Sequence, residues 1–291
     1  MALDRAIPES RLHGPLAARI LDSWRTRGAC LVVGIAGPQG CGKSTTVIVL
    51  RRLLEAQGLR VATLSLDDLY LTRAARLALA AQVHPLLATR GVPGTHDVGL
   101  GLDLLEALVA GRDVRLPRFD KAADTRLDPS DWDAVKGPVD IVLFEGWCVG
   151  ASSQDPASLV EPINGLERDE DPGAVWRAWV NASLAGAYQD LFARLDLRIQ
   201  FRAPDFDTVI LWRIEQERDL RERLVREGLA PGRTMSDAGV RRFVQHYERL
   251  TGHMARTPPR EGEIVIRLAA DRQPLAGWDD VAGASRGTAS H

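Results

Sequence analysis

The sequence predicts an α/β fold of three layers, in which a mostly parallel central sheet lies between helices. Short apolar, β-branched runs alternate with helical stretches along the 291 residues, the order that produces parallel strands joined by helices. The clearest runs are residues 30–36 and 139–144, and glycine or polar residues follow each of them. A composition that is 45% hydrophobic supports a large core. We therefore expect a single domain over residues 1–281, with a disordered tail at 282–291.

The other elements follow from hydrophobic periodicity and from the residues that begin and end helices. In chain order, the sequence predicts a helix at 9–27, a strand at 60–66, helices at 71–82, 98–110 and 174–194, a strand at 197–201, helices at 205–228 and 236–254, and a strand at 263–268. Asp97 is the predicted N-cap of one helix. Residues 151–174 are polar and rich in Asp, Pro and Gly, so a loop or mobile insertion is expected there. Residues 84–137 are interpreted as an insertion within the domain rather than a second domain. Residues 205–254 are interpreted as a helical lid over a ligand site.

One octet of the sequence indicates a ligand. Residues 37–44 read Gly-Pro-Gln-Gly-Cys-Gly-Lys-Ser, which fits the P-loop pattern G-x-x-x-x-G-K-[ST]. The backbone N–H groups of such a turn, and the N-terminus of the helix that follows, attract phosphates. Lys43 would reach the β- and γ-phosphates, and Ser44 would bind Mg²⁺. The predicted fold is therefore that of a P-loop NTPase. The predicted nucleotide-binding residues of the loop are Gly37, Pro38, Gln39, Gly40, Cys41, Gly42, Lys43, Ser44 and Thr45.

Bulk composition disfavours several classes of protein. The net charge of −2 offers no electrostatic case for binding nucleic acid or an anionic membrane. The three cysteines have no metal-site spacing, and their odd number disfavours a disulfide framework. Cys41 is interpreted as a small filler within the P-loop rather than a redox-sensitive thiol. No apolar run reaches the roughly 18 residues of a membrane span, and no signal peptide is recognised. A cytoplasmic protein is expected.

Acidic residues follow two further predicted strands. Asp67 and Asp68 come after the strand at 60–66, and Glu145 comes after the apolar run at 139–144. Because ligands of such sheets bind outside the carboxyl ends of the strands, these carboxylates should converge on the γ-phosphate and its metal. Transfer of the γ-phosphate requires a hydroxyl that attacks it, and Asp67 is the predicted base that receives the proton of this hydroxyl. Ser44, Asp67 and Glu145 are the predicted Mg²⁺ ligands. The alternatives are a helix N-cap, above all for Asp68, and a structural carboxylate for Glu145.

Charged residues in the insertion are candidates for binding the acceptor. The segments 90–97 and 116–126 combine cations with an imidazole and carboxylates, and cations beside a phosphoryl-transfer site bind an anionic acceptor or neutralise charge. The alternatives are solvated loop positions and, for His96, a hydrogen bond that stabilises its loop. The candidates are Arg90, His96, Asp97, Arg118, Lys121 and Arg126.

Arginines on the predicted helix at 205–228 are candidates for binding phosphates from a closing lid. Those selected are Arg213, Arg218 and Arg221. Acidic residues are interleaved with them, so a surface held by salt bridges is the alternative.

These motifs together resemble those of the D-glycerate 3-kinase family, within the P-loop kinases that include uridine kinase, phosphoribulokinase and pantothenate kinase. The matching segments are GPQGCGKST (37–45), SLDDLYLT (65–72), RGVPGTHD (90–97), LPRFDKAADTR (116–126), VLFEGWCVG (142–150) and the stretch 212–247. The resemblance implies that the protein uses ATP and Mg²⁺ to phosphorylate a hydroxyl of a small acid, D-glycerate above all. It also implies that Asp67 is the base, with Tyr70, Arg118, Lys121 and Arg126 on the substrate side.

Two other functions stay open at this point. The first is a P-loop kinase for pantothenate, a nucleoside or a sugar acid; a nucleoside would call for an aromatic wall, and the insertion offers little beyond Tyr70 and Phe119. The second is a nucleotide-dependent switch or assembly ATPase, which would not need Asp67 as a base. ATP turnover that depends on an added small molecule separates the classes. The sequence does not fix the oligomeric state.

Overall fold

A computed structural model describes residues 11–228, 234–275 and 279–280, and this part of the chain forms nine α-helices and ten strands. The helices are α1 His13–Arg27, α2 Lys43–Glu55, α3 Arg73–Gln82, α4 Val98–Val109, α5 Gly165–Glu170, α6 Val175–Ala185, α7 Ala187–Phe192, α8 Phe206–Arg226 and α9 Asp237–Arg256. The strands are β1 Leu31–Ala36, β2 Val61–Ser65, β3 Val114–Leu116, β4 Phe119–Asp120, β5 Thr125–Arg126, β6 Asp133–Val135, β7 Ile141–Gly146, β8 Leu197–Arg202, β9 Ile264–Arg267 and β10 Asp279–Asp280.

The central sheet has the strand order β10-β9-β8-β1-β7-β2. Five of these strands are parallel, and β10 pairs antiparallel with β9 at the edge. All six residues of β1 are buried, as expected for a central strand that helices cover on both faces. The predicted α/β fold with a mostly parallel sheet is confirmed.

Side chains on the two faces of the sheet enter two separate cores, because successive residues of a strand point in opposite directions. On β1, Val32 joins the core under α4, α7 and α9, whereas Val33 joins the core under α1 and α2. On β7, Phe144 and Leu143 divide between the two cores in the same way. The strands are therefore held from both sides, which fixes the positions of their carboxyl ends.

The segment predicted as a loop or mobile insertion, 151–174, contains helical structure, so that prediction was wrong. It holds a 3-10 helix at Pro156–Leu159 and the helix α5. The side chain of Asn164 caps α5 by accepting a hydrogen bond from the backbone of Glu167, at 3.0 Å. The buried carboxylate of Glu167 pairs with Arg249 of α9 at 2.6 Å. Polar composition concealed these elements, because here the polar side chains cap and pair rather than face solvent.

The single helix predicted at 174–194 was also wrong. The chain forms α6 and α7 instead, and the backbone leaves the helical region at Gly186, where φ is −91° and ψ is −127°. The predicted cap of α4 is confirmed, since the Asp97 carboxylate accepts a hydrogen bond from the Leu100 N–H at 3.1 Å.

The predicted insertion, residues 84–137, contains two small antiparallel sheets, β3 with β6 and β4 with β5. The predicted tail, 282–291, lies outside the described residues, as do the first residues of the helix predicted at 9–27. Among the described helices, none combines the length and the apolar character needed to cross a membrane.

Candidate active site

A cleft of about 770 Å³ lies at the carboxyl ends of β1, β2 and β7. Four parts of the chain line it: the P-loop after β1, the residues that end β2 and β7, the insertion, and the cleft-facing sides of α8 and α9. Ligands bind at this edge of parallel sheets. The fold therefore brings Lys43, Asp67 and Glu145, which follow or end three different strands, into one cleft.

The P-loop has the backbone that its glycines allow. Gly40 and Gly42 have φ of +80° and +90°, a region that favours glycine because it has no Cβ. A Cβ on Gly40 would lie 2.6 Å from Cβ of Trp212 on α8, whereas a Cβ on Gly42 would meet nothing within 4 Å. Gly40 is thus required by packing, and Gly42 by its φ alone. Four loop residues line the cleft: Gln39, Gly40, Lys43 and Ser44.

The other predicted P-loop residues lie behind this surface. A Cβ on Gly37 would lie 2.7 Å from the Cys41 sulfur and 2.9 Å from Phe201. Cys41 is buried in the core beneath α2, and burial raises the pKa of its thiol, which agrees with a filler role. Pro38 faces a separate cavity of about 200 Å³, and Thr45 is exposed on the first turn of α2.

Lys43 stays charged at the mouth of the loop. Burial alone would lower the pKa of its ammonium, but the carboxylates of Glu145 and Asp67 raise it above its ordinary value. An ammonium group at the N-terminus of α2 adds to the positive end of the helix dipole. The loop thus combines a cation with backbone donors, as phosphate binding requires.

The Glu145 carboxylate has one occupied and one open oxygen. Its Oε1 accepts hydrogen bonds from Ser44 at 3.2 Å and from Ser65 at 3.0 Å. Its Oε2 is buried and has no hydrogen-bond partner in the described chain. A buried carboxylate oxygen beside a P-loop hydroxyl is a donor set that suits Mg²⁺, which prefers oxygen ligands and is commonly held by one or two carboxylates together with substrate phosphates. The described ranges hold no cluster of three or more His, Cys, Asp or Glu side chains that could hold a metal ion.

Asp67 is held by hydrogen bonds on both oxygens. Lys121 donates to Oδ2 at 2.7 Å, and the Tyr70 hydroxyl donates to Oδ1 at 2.6 Å. Burial alone would raise its pKa, but Lys121, Lys43 and the Tyr70 hydroxyl together hold the pKa of Asp67 well below its ordinary value. Asp67 is therefore an ionised hydrogen-bond acceptor just after β2, in the cleft that the P-loop and the insertion both line.

Asp68 also lines the cleft, but its carboxylate fastens the insertion. Its carboxylate accepts hydrogen bonds from the Phe119 backbone at 3.0 Å and from Arg118 at 2.9 Å. Arg118 also pairs with Asp133 at 2.8 Å, so it braces the insertion instead of lining the cleft. Neither aspartate is an N-cap, since Ser65 caps the 3-10 helix Leu66–Leu69.

Arg90 lines the cleft from a loop that is held at two carbonyl groups. The Tyr247 hydroxyl donates to the Arg90 carbonyl at 2.9 Å, and the Trp147 indole donates to the Gly91 carbonyl at 2.7 Å. The rings of Trp147 and Tyr247 pack edge-to-face, 5.0 Å apart. The Arg90 guanidinium pairs with Asp124.

His96, Asp97 and Arg126 lie behind the cleft wall. His96 is buried, its Nδ1 lies 2.6 Å from the Tyr188 hydroxyl, and burial lowers its pKa to about 3. Its ring packs against Tyr70 at 4.9 Å, so it supports a residue that lines the cleft. Arg126 pairs with Asp97 at 3.1 Å. The structure therefore brings Tyr70, Arg90 and Lys121 to the cleft. The other three predicted residues, His96, Asp97 and Arg126, lie behind its wall and support it.

The arginines of α8 divide between two faces of the helix. Arg213 lines the cleft and pairs with Glu217 at 2.7 Å. Arg218 pairs with Asp237, and Arg221 donates to the Met235 carbonyl at 2.7 Å. These two predicted phosphate-binding residues therefore join α8 to the start of α9 and do not line the cleft.

The lining residues that were not selected from the sequence include Trp147, Arg223, Arg226, Phe243 and Tyr247. Helical geometry does not single out Arg223, because Arg221 and Arg223 follow Arg213 by eight and ten positions and both lie about 80° from it around the helix, on opposite sides. The aromatic residues carry no local signal. They come from two distant segments and meet only in the folded chain.

Comparisons with known proteins place the chain among kinases. It is 35% identical over 232 residues to the "uncharacterized kinase mug58" of Schizosaccharomyces pombe, which covers 77% of this chain and 80% of that protein. It is 34% identical over 227 residues to the chloroplastic D-glycerate 3-kinase of Arabidopsis thaliana, which covers 75% of this chain and 46% of the plant protein. The solved D-glycerate 3-kinase of Cryptococcus neoformans superimposes with a TM-score of 0.77 and 27% identity, over 92% of this chain and 99% of that one.

A sequence model of the methylmalonyl-CoA mutase-associated GTPase MeaB also matches, but over residues 6–70 only, the part that holds the P-loop. Fold, cleft and relatives define a P-loop kinase, an enzyme that transfers a phosphoryl group to an alcohol. Within that class, the chain belongs to the family of D-glycerate 3-kinase and its fungal relatives.

Proposed function

We propose that the protein transfers the γ-phosphate of ATP to a hydroxyl of D-glycerate. The observation that carries the proposal is the position of Asp67, an ionised carboxylate that contacts Lys121 of the insertion at 2.7 Å and lies in the same cleft as Lys43 of the P-loop. A hydroxyl acid that enters from the insertion side would meet Asp67 opposite the phosphates. Two of the relatives carry the name D-glycerate 3-kinase.

The nucleotide side would hold the triphosphate through the P-loop backbone and Lys43. Ser44 and Glu145 would hold Mg²⁺, with the open Glu145 Oε2 directed to the ion or to its water. Bound there, the metal would neutralise charge that develops on the β- and γ-phosphate oxygens. Arg213, Arg223 and Arg226 face the same cleft from α8 and would meet the phosphates from the lid.

Asp67 would orient the acceptor hydroxyl and receive its proton late in the reaction. Its lowered pKa makes it a weak base in the resting protein. Phosphoryl transfer proceeds through a loose transition state that asks for positioning and charge stabilisation rather than strong deprotonation. Binding of the acceptor would exchange the Lys121 or Tyr70 hydrogen bond for one from the hydroxyl.

The acceptor side suits a small acid better than a nucleoside. Tyr70, Trp147 and Tyr247 are 5%, 4% and 3% exposed, so their ring faces are committed to packing rather than open for a base to stack on. Arg90, by contrast, presents a cation whose planar fork matches a carboxylate. D-glycerate carries that carboxylate close to its hydroxyls.

The alternative of a nucleotide-dependent switch has one observation in its favour, the MeaB match over residues 6–70. Kinase relatives, by contrast, align with about three quarters of the chain. Other hydroxy acids are the nearer alternative, because Arg90 recognises a carboxylate and not the rest of the molecule. The three free thiols, Cys30, Cys41 and Cys148, support a reducing compartment, and we propose the cytoplasm.

The test is ADP formation from ATP and Mg²⁺ with D-glycerate, L-glycerate, pantothenate, uridine and ribulose 5-phosphate in turn. Turnover that requires D-glycerate supports the proposal, and the Lys43→Ala variant should abolish it because the cation on the β- and γ-phosphates is lost. Turnover with another acceptor alone would replace D-glycerate. Equal ATP hydrolysis with and without every acceptor would favour the switch.

A further inference from the structure

Two arginines share one carboxylate beside the acceptor end of the cleft. Asp124 receives Arg76 on Oδ2, at 2.5 Å, and Arg90 on Oδ1. Arg76 is 1% exposed, whereas Arg90 lines the cleft. The carboxylate therefore joins a fully buried guanidinium to one that faces the substrate.

The buried arginine is fully engaged in holding this network. Arg76 also donates to the Leu71 carbonyl at 2.6 Å and to the Ala88 carbonyl at 3.2 Å. Burying a charge is costly unless it is paired and hydrogen-bonded, and Asp124 is the only carboxylate that the described residues give Arg76. Loss of Asp124 would leave Arg76 charged and unpaired.

The surroundings of Arg90 restrict its direction as well. Its guanidinium lies over the Phe119 ring, 5.5 Å from the centroid, and the Arg76 guanidinium lies 6.0 Å from the same centroid. Asp124 sits in a turn with φ of +56°, a left-handed conformation that Asp adopts more readily than most residues. The turn thereby directs the carboxylate back towards both arginines.

We propose that Asp124, anchored by Arg76, is a positioning residue that aims Arg90 at the carboxylate of the acceptor. The inference deepens the proposed function and rests on it. Asp124 engages Nη1 of Arg90. A guanidinium has five N–H donors, so Nη2 and Nε are left to form a fork on a second carboxylate. The substrate class is then an acid whose carboxylate lies close to the hydroxyl that is phosphorylated.

The experiment compares the steady-state kinetics of Asp124→Asn with those of the parent protein. A neutral amide at this position cannot hold two cations, so Arg90 would lose its direction, and the KM for the acid acceptor should rise about 10-fold or more, the scale of a lost charge-assisted contact. The kcat and the KM for ATP should change by less than about 3-fold, because Asp67 and the P-loop are untouched. Asp124→Glu keeps the charge and should recover part of the loss.

The matched control is Asp133→Asn, which removes a carboxylate of the same insertion that pairs with Arg118 and is 60% exposed. It should leave the acceptor KM unchanged. Asp124→Asn on its own leaves the buried Arg76 unpaired. If that variant does not fold, the double variant Arg76→Met, Asp124→Asn removes both charges, and the same rise in the acceptor KM is expected.

Three results would overturn the inference, and they differ in what else they remove. A parent protein that turns over D-glycerate, with an acceptor KM unchanged in folded Asp124 variants, would remove the positioning role alone. A parent protein that turns over no acid at all would remove the proposed function and this inference together. An equal change in kcat and in both KM values would indicate a merely structural role and would also contradict the proposal.

Discussion

Adjacent residues at the end of β2 have opposite tasks. Both line the cleft, but Asp67 accepts hydrogen bonds from Lys121 and Tyr70, while Asp68 accepts them from Phe119 and Arg118 of the insertion. The 3-10 turn capped by Ser65 produces this divergence. One carboxylate is thereby available for chemistry, and the other fixes the wall that faces it.

Replacing Asp67 should therefore affect turnover rather than binding. For Asp67→Asn we expect kcat to fall about 10²-fold or more, the usual scale for a lost general base, with ATP affinity retained. Steady-state kinetics and direct ATP titration provide the two readouts. Near-normal kcat would show that Asp67 only orients its neighbours.

The same substitution one residue later is the matched comparison. Asp68→Asn removes the charged partner of Arg118 and weakens the attachment of the insertion. We expect a lower thermal midpoint and a raised acceptor KM, with a smaller loss of kcat than in Asp67→Asn. A loss of kcat as large as that of Asp67→Asn, without loss of stability, would place Asp68 in the chemistry and contradict this assignment.

At the residue scale, the sequence was informative where position along a strand decides direction. Lys43, Asp67 and Glu145 each follow or end a parallel strand, and all three line the cleft. It was uninformative where a side chain's partner lies far along the chain. The pairing of Arg126 with Asp97, and the burial of His96 against Tyr188, depend on the fold of the insertion, which no local pattern specifies.

At the scale of the element, α8 has two functional faces. Arg223 lines the cleft, whereas Arg218 pairs with Asp237 on the side of α9. Arg223→Ala should raise the KM for ATP about 5- to 10-fold, as for loss of one exposed phosphate contact, and Arg218→Ala should leave it unchanged. The KM for ATP of both variants is measured by steady-state kinetics at two salt concentrations. An equal rise in the KM for ATP in both variants would show that the overall positive charge of the helix, rather than the face on which an arginine lies, determines nucleotide binding.

The loop after β9 fastens the P-loop from behind. Arg272 donates to the Gly40 carbonyl at 2.7 Å, its guanidinium lies 5.4 Å from the centre of the Trp212 ring, and it pairs with Glu215. A charge-assisted hydrogen bond to this carbonyl polarises the peptide whose N–H belongs to Cys41. The Cys41 N–H itself donates to the Pro38 carbonyl at 3.4 Å, so Arg272 reinforces the turn that shapes the loop.

Arg272→Lys should therefore weaken nucleotide binding. Lysine cannot both lie over the indole and donate in the plane of the guanidinium, so we expect the Kd for ATP to rise about 10-fold, the equivalent of about 1.4 kcal/mol for a charge-assisted hydrogen bond. Glu215→Gln keeps the bond to Gly40 and is the control, with little change expected. Direct titration of ATP provides the readout, and an unchanged Kd in Arg272→Lys would contradict the prediction.

Helix periodicity predicted that α8 exists but not which arginines face the cleft. Arg213, Arg218 and Arg221 were selected as arginines of one predicted helix, although the latter two lie on the other side of the helix from Arg223. The cleft face is set by the buried residues Trp212 and Glu217, which pack against other elements, so it is a property of tertiary contact.

For the whole molecule, alternation of strands and helices was sufficient to predict the sheet, because a buried parallel strand has a composition that few other elements share. The interior also holds two histidines whose pKa burial lowers, His96 to about 3 and His246 to about 4. Since an unfolded histidine titrates near 6.5, the unfolded chain binds more protons than the folded one from about pH 6.5 downwards.

Stability should consequently fall as the pH is lowered. Between pH 7 and pH 5, each buried histidine should remove about 2 kcal/mol from the free energy of unfolding. Urea unfolding at pH 7, 6 and 5 measures this, and His246→Gln should reduce the dependence by about half. A free energy of unfolding that is equal at pH 7 and pH 5 would contradict the burial of both rings as neutral groups.

The contact between Gly40 and Trp212 has a mechanical consequence. Trp212 lies near the P-loop, and Arg226 lies 14 positions further along α8, about 21 Å away at 1.5 Å per residue. A tilt of about 10° at the loop would carry the far end of this helix by about 4 Å. A small rotation of α8 about its contact with Gly40 would therefore be amplified into a large displacement at the mouth of the cleft.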